Sequence, residues 1–280
     1  MNAHMNTARR AASATRATVR PLRRPALGSA LVTGALLALT ACGGQTAAHD
    51  GAGTDGSTSR HGGGKKVLWM GDSIAGGEAP ALAAAAKAAG LRFKDASSTG
   101  GGTVVAGQGP TKQIAAHTWK RLSKDIAAFH PDVIAYQITT YDWDTEAGQR
   151  HAYEKLGRTA RNAGAELVIV SAPPFTVDDF YKPHEKAIRS APRAARQAAA
   201  RSGGKIHYFD SAELWGTDSR ARRAQRSSDG IHACQQGAAA FAKWFGEKLG
   251  KQYGFAPAPP RKWAQGAWTG SGHYADLGCR

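Results

Sequence analysis

The chain has 280 residues, with 37 Lys and Arg against 21 Asp and Glu, a formal charge of +16 and a hydrophobic fraction of 42%. That length holds one large domain or two small ones, and that hydrophobic fraction suits a globular protein with a real core. The basic balance suits an anionic surface or an acidic polymer. The basic residues are scattered, with small clusters such as Arg220-Ala221-Arg222-Arg223 and no aromatic-basic recognition motif, so a nucleic-acid partner is not expected.

The first 41 residues hold six arginines and no acid. Ala26 to Ala41 is an uncharged, mostly apolar run, short for a membrane span and laid out like the core of a signal peptide. It ends Leu39-Thr40-Ala41-Cys42 and is followed by Gly43-Gly44. This resembles a bacterial lipobox. The resemblance implies that residues 1–41 are a lipoprotein signal peptide and that Cys42 becomes the lipid anchor. An ordinary secretory signal followed by a chance cysteine is the alternative. The pairs Arg9-Arg10 and Arg23-Arg24 leave the export route open. Residues 42–65 are rich in Gly, Ser, Thr and Ala and read as a flexible tether, about 25–30 Å in reach.

From residue 67 strand and helix patterns alternate. Apolar runs suited to buried parallel strands occur at 67–70, 91–96, 132–138, 167–171 and 205–209. Helices are expected at about 78–89, 111–128, 145–163 and 182–202. A last helix, about 236–249, has an apolar face of Ala238, Phe241, Ala242, Phe245 and Leu249. Five strands alternating with helices predict a doubly wound α/β domain over residues 66–250. Residues 251–280 contain Pro257, Pro259, Pro260, Trp263, Trp268 and Tyr274 without regular periodicity, and read as a tail packed on the domain. Trp263 and Trp268 could cover core surface or line a sugar-binding rim.

The first run ends Val67-Leu68-Trp69-Met70-Gly71-Asp72-Ser73 and passes into an Ala-rich helix. That places Ser73 at the carboxyl end of a strand and just before a helix N-terminus, where ligands bind and a developing oxyanion meets free N–H groups. The same position also suits a serine that only caps the helix. Far along the chain, Asp229-Gly230-Ile231-His232 sets a carboxylate three residues before an imidazole. Asp229 can then hold the tautomer that leaves His232 free to take a proton from a serine. A structural histidine and a capping aspartate are the alternatives.

Taken together these residues resemble the SGNH (GDSL) hydrolases. Gly71-Asp72-Ser73 resembles the block that carries their nucleophile, and Asp229-Gly230-Ile231-His232 resembles their Asp-x-x-His block. Asp95-Ala96-Ser97-Ser98-Thr99-Gly100 resembles the second block, which implies an oxyanion N–H at Gly100, with Gly101 and Gly102 one and two residues away. The third block departs from the family. Gly-x-Asn-Asp is usual after strand three, whereas this chain reads Thr139-Thr140-Tyr141-Asp142. Tyr141 stands where an Asn donates to the oxyanion, and either it or Thr140 could substitute. Tyr141 and Trp143 equally suit pocket walls. The resemblance implies a three-layer flavodoxin-like fold, a five-stranded parallel sheet in order 2-1-3-4-5. It implies an esterase in which Ser73, His232 and Asp229 are catalytic, and Ser73, Gly100 and Tyr141 form the oxyanion hole. The aromatic-Asp pair is similar to SGNH domains associated with cell-envelope acyltransferases, which points to acetyl or other short acyl groups on envelope glycans.

Cys234 and Cys279 remain after Cys42 is assigned, and in an exported chain they are expected to form a disulfide that ties the tail beside His232. The histidines show no metal spacing and no phosphate loop appears, so no metal or cofactor is expected. The expected protein is an exported, lipid-anchored monomer at the bacterial cell surface, hydrolysing short-chain carboxylic esters. An O-acyltransferase or deacetylase of envelope glycans and a non-catalytic glycan-binding lipoprotein are the alternatives.

Overall fold

A computed structural model describes residues 64–270 and 272–276. The expected signal peptide, the lipid-anchor residue Cys42, nearly all of the tether and Cys279 lie outside the described residues. Within them, β1 (Lys66–Met70), α1 (Ser73–Ala88), β2 (Arg92–Asp95), α2 (Pro110–Phe129), β3 (Val133–Gln137), α3 (Glu146–Asn162) and β4 (Glu166–Val170) alternate in chain order. They are followed by α4 (Glu185–Arg201), β5 (Ile206–Phe209), the one-turn α5 (Ala212–Trp215), α6 (Gln235–Tyr253) and the short α7 (Gly272–Asp276). The five strands form one sheet in the order β2-β1-β3-β4-β5, and every neighbouring pair is parallel.

Strand periodicity sorts the core into two layers. Val67 and Trp69 of β1, Val133 and Ala135 of β3, and Val168 and Val170 of β4 face α1 and α6. The intervening Leu68, Met70, Ile134, Tyr136, Leu167 and Ile169 face α2, α3 and α4. Strands buried on both faces require this unbroken apolar character. On the first side, Phe241, Phe245 and Leu249 of α6 are buried against Trp69, with ring centroids 5.7 and 5.3 Å apart for the two phenylalanines. Each such side chain contributes about 1.5–3 kcal/mol by leaving water.

Two expectations change, and the tail takes one of its two readings. β2 is a half-exposed edge strand of sequence Arg-Phe-Lys-Asp rather than a buried one. It pairs only with β1, so one side of its ladder needs no apolar cover. The first helix starts at Ser73, well before the expected 78, although Gly76, Gly77 and Pro80 are poor helix formers. Asp72 accounts for the early start: its carboxylate accepts from the Ile74 N–H at 3.0 Å and caps the first turn. The tail is laid over the α1–α6 layer. Trp263 is 4% exposed, its indole N–H donates to the Ala258 carbonyl, and that of Trp268 donates to the Trp263 carbonyl. Trp263 and Trp268 therefore cover core surface and do not form a rim.

Candidate active site

The nucleophile turn is built by close backbone approach. Gly71 follows the last residue of β1, and a Cβ there would lie 2.5 Å from that of Ala75. The Gly71 carbonyl accepts from the Ser98 N–H at 3.1 Å, which extends the β1–β2 pairing to the loop after β2. Ser73, half-buried, is then the first residue of α1 and stands at the carboxyl edge of the sheet.

The loop before α6 brings the partners from the far end of the domain. Ser227 N–H donates to the His232 carbonyl at 2.7 Å, and Gly230 N–H donates to the Ser227 carbonyl at 3.0 Å. Inside this turn Asp229 Oδ1 accepts from Ser227 Oγ at 2.6 Å, Ile231 N at 2.7 Å and His232 N at 3.0 Å. Gly230 has φ +71°, and a Cβ there would lie 2.5 Å from Thr176 Oγ1, so only glycine suits the position. Thr176 in turn donates its N–H to the Gly230 carbonyl at 2.9 Å, tying the turn to the segment after Pro173-Pro174.

The turn aims two side chains in series. Asp229 Oδ2 lies 2.6 Å from His232 Nδ1, and His232 Nε2 lies 2.9 Å from Ser73 Oγ. Burial pushes the Asp229 carboxyl up, but the hydrogen bonds from His232, Ser227 and the two backbone N–H groups outweigh it and hold it at about 2. An ionised Asp229 accepts the Nδ1 proton, and that tautomer leaves Nε2 as an acceptor for the Ser73 hydroxyl. The structure thus joins Ser73, His232 and Asp229 in one hydrogen-bonded chain.

The loop after β3 is fastened to the same turn. Asp72 Oδ2 accepts from Thr140 N at 2.7 Å and from Thr140 Oγ1 at 2.8 Å. Burial raises the Asp72 carboxyl from its ordinary value, and these donors, together with the Ile74 N–H, work against the shift. One residue past Tyr141, Asp142 is 1% exposed and receives four hydroxyls. Thr103 Oγ1 (2.5 Å), Tyr136 OH (2.7 Å) and Thr139 Oγ1 (2.8 Å) donate to one oxygen, and Tyr153 OH (2.6 Å) to the other. Burial raises Asp142, Tyr136 and Tyr153, so both phenols keep their protons and remain donors.

Tyr141 itself is half-buried among aromatic rings, 5.1 Å from Trp143 and 6.3 Å from both Phe180 and Tyr181 between centroids. Its ring lies over Gly101, where a Cβ would be 3.3 Å from Cε2. Burial, with Tyr141 and Asp72 nearby, pushes the Tyr181 phenol up to about 12 although Thr140 works against it. Gly100 is exposed and has open space around it, whereas a Cβ on Gly102 would overlap the Gly71 carbonyl oxygen. Trp143 stacks on His184 at 3.5 Å, and beside them opens a cavity of about 530 Å³ whose wall includes Gln108, Glu146, Lys186 and Arg193. A smaller apolar cavity of about 270 Å³ lies between α1, α6 and the tail, and neither Ser73 nor His232 lines either cavity.

Sequence reading missed Thr140 as the partner of Asp72, the four-hydroxyl shell of Asp142, and Phe180, which is 56% exposed beside Tyr141. A buried acid flanked by Thr and Tyr was the available signal for the second. The other two depend on chain crossings that no spacing reveals.

A doubly wound parallel sheet with a serine–histidine–aspartate chain at the carboxyl ends of its strands defines a protein of the SGNH/GDSL hydrolase class, whose reaction is the cleavage of ester bonds. A family model described as the SGNH domain fused to AT3 domains matches residues 41–243, and the chain belongs to that family. No curated protein sequence matches it. Among solved structures, it is similar to a GDSL-like lipase from Bacteroides thetaiotaomicron, with 15% identity over 67% of this chain and 89% of the other and a TM-score of 0.51. It is similar also to the inhibitor-bound aryl esterase of M. smegmatis, with 14% identity over 67% and 99% of the two chains and a TM-score of 0.51. Both likenesses are of fold.

Proposed function

We propose that the protein is an exported serine esterase that removes short acyl groups through an acyl-enzyme. The observation that carries this reading is the 2.9 Å approach of Ser73 Oγ to His232 Nε2, with Asp229 behind the imidazole at 2.6 Å. Ser73 Oγ attacks the ester carbonyl carbon as its proton passes to His232 Nε2. The tetrahedral intermediate collapses, the carbon–oxygen bond to the alcohol breaks, and the alcohol leaves with that proton. Water then attacks the acyl-Ser73, gives a proton to His232, and releases the carboxylic acid as the proton returns to Ser73 Oγ. Asp229 fixes the imidazole tautomer and stabilises the imidazolium that forms. The N–H groups of Ser73 and Gly100 serve the oxyanion, with Tyr141 in place of the usual Asn.

Turnover of 4-nitrophenyl acetate by the wild type and by S73A tests this. Loss of turnover in S73A, with fluorophosphonate labelling of the wild type at Ser73, is the expected result. Undiminished activity in S73A would refute it.

One observation favours a second reading. The matching family model describes SGNH domains fused to AT3 domains, and a sugar hydroxyl can replace water in the second half of the reaction. Product analysis with an acetyl donor and a glycan acceptor separates transfer from hydrolysis.

The surroundings of the reaction belong to the same proposal. Residues 1–41 direct export, Cys42 carries lipid, and residues 42–65 tether a domain that acts on acylated envelope glycans as a monomer. Cys234 pairs with Cys279, as two cysteines of an exported chain are expected to do. Non-reducing peptide mapping checks the pairing, and mass spectrometry of the mature N-terminus checks the anchor.

A further inference from the structure

Two buried polar side chains and one half-buried arginine lie behind the site and take no part in the chemistry above. Glu78, on α1 five residues after Ser73, is 0% exposed. Its Oε2 accepts from Gln137 Nε2 at 2.7 Å, and its Oε1 has no hydrogen-bond partner. Gln137 ends β3 and packs against the nucleophile turn, its Cβ 3.4 Å from where a Cβ of Gly71 would stand. Arg226, one residue before the turn that holds Asp229, interacts electrostatically with both Glu78 and Asp229.

A largely buried guanidinium is costly unless its donors are used and its charge is answered. Arg226 meets most of that demand within the His232 loop. Its Nε donates to the Ala224 carbonyl at 2.7 Å and its Nη1 to the Ile231 carbonyl at 3.0 Å. The guanidinium lies 4.6 Å over the ring of Trp215, which stacks on Phe241 of α6. The backbone of Arg226 also bridges that of Ala233, so residues 226 and 233 close the loop that holds Asp229 and His232. Nη2 is buried and unpartnered, as is Oε1 of the acid it faces electrostatically. The arginine fork grips two carbonyls of one loop, and the face of the guanidinium is covered by Trp215.

We propose that Arg226, hydrogen-bonded to the Ala224 and Ile231 carbonyls and packed over Trp215, is a positioning residue that keeps the loop of Asp229 and His232 closed and His232 within reach of Ser73. The proposal rests on the reading of Ser73 and His232 as the reacting pair. It assigns the arginine an effect on rate rather than on substrate affinity, since none of its hydrogen bonds reaches the reacting atoms.

The test compares the wild type, R226M and R226K as purified full chains. It reads kcat and KM for 4-nitrophenyl acetate, thermal melting, and the downfield imidazole N–H proton of His232 by NMR. A misplacement of about 1 Å costs up to roughly 100-fold in rate. R226M is therefore expected to melt above the assay temperature, to lose about 10- to 100-fold in kcat with KM nearly unchanged, and to broaden the His232 resonance. R226K, which keeps the cation but not the two-carbonyl fork, is expected to fall between the two. A folded R226M with wild-type kcat and an intact resonance overturns the proposal. If R226M does not fold, an R226K protein with wild-type kcat and resonance overturns it equally. S73A and fluorophosphonate labelling, run in parallel, show separately whether the catalytic reading holds, and the His232 resonance reports on positioning in either case.

Discussion

Thr140 donates twice to one carboxylate oxygen of Asp72, through its N–H at 2.7 Å and its hydroxyl at 2.8 Å. The aspartate that caps the nucleophile helix is therefore also the anchor of the loop carrying Tyr141. Replacing Thr140 by Val removes the hydroxyl donor, keeps the shape and leaves the N–H bond. T140V is expected to lose about 1–3 kcal/mol of stability, because a buried acceptor loses a partner. Its kcat is expected to fall as well, since Tyr141 and the Ser73 turn are then held by one bond fewer. Urea unfolding and 4-nitrophenyl acetate kinetics measure the two effects.

Asp229 offers a sharper test of the hydrogen-bonded chain. In D229N the side chain keeps its size but an amide N–H can face His232 Nδ1, which favours the tautomer that puts the proton on Nε2. That tautomer cannot accept from Ser73, and kcat is expected to fall by a factor on the order of 10⁴, with KM little changed. The stability effect has a defined sign. The Asp229 carboxyl is held at about 2 in the folded chain against an ordinary 3.8. Its contribution is present above pH 4 and is lost as pH falls toward 2. D229N should therefore lie below the wild type in melting temperature at pH 6 and approach it near pH 2.

These residues also show how far the sequence could be read. The alternation of apolar runs and helical faces was sufficient to place the strands along the chain, because parallel strands buried on both sides leave few polar positions, whereas their order in the sheet was implied only by the family resemblance. β2 broke that rule as an edge strand, yet its place between two helices still located it. Ser73 and Asp229-x-x-His232 were legible because each belongs to a short local pattern. Thr140, Asp142 and Arg226 were not. Their partners come from other strands and turns, and a lone Thr or Arg has no periodicity to betray a buried bond. Glu78 was hidden for a related reason: on an Ala-rich helix, an acid reads as a solvated face until the fold turns it inward.

Glu78 makes the pH dependence of stability testable. Burial pushes its carboxyl up to about 8 from an ordinary 4.5, with Arg226 and Gln137 working against the shift and Asp72 with it. Between those values the folded chain holds a proton that the unfolded chain has released, so stability falls as pH rises from about 4.5 to 8. E78Q removes the ionisation. Its amide can pair with that of Gln137, whose Oε1 has no hydrogen-bond partner in the wild type. The variant should match the wild type near pH 4 and exceed it increasingly toward pH 8. Melting temperatures across that range decide the matter, and parallel curves for the two proteins would remove Glu78 as their cause.

The glycines after β2 differ in what surrounds them. Gly100 stands at the oxyanion position of the family pattern, yet open space surrounds it and its φ is not positive. Alanine there keeps the N–H and meets nothing, so G100A should retain activity within about twofold whether or not that N–H serves the oxyanion. Gly102 is different, because an added Cβ would overlap the Gly71 carbonyl oxygen and lie 3.3 Å from the Ser98 Cβ. The Gly71 carbonyl accepts from Ser98, and Ser73 is two residues further on. G102A must therefore push the nucleophile turn away from the β2 loop. A folded G102A is expected to lose about 10- to 100-fold in kcat, and slower fluorophosphonate labelling of Ser73 should accompany the loss. Equal activity in the two variants would show that the nucleophile turn tolerates the displacement, and that the close approach of Gly102 to Gly71 serves packing alone.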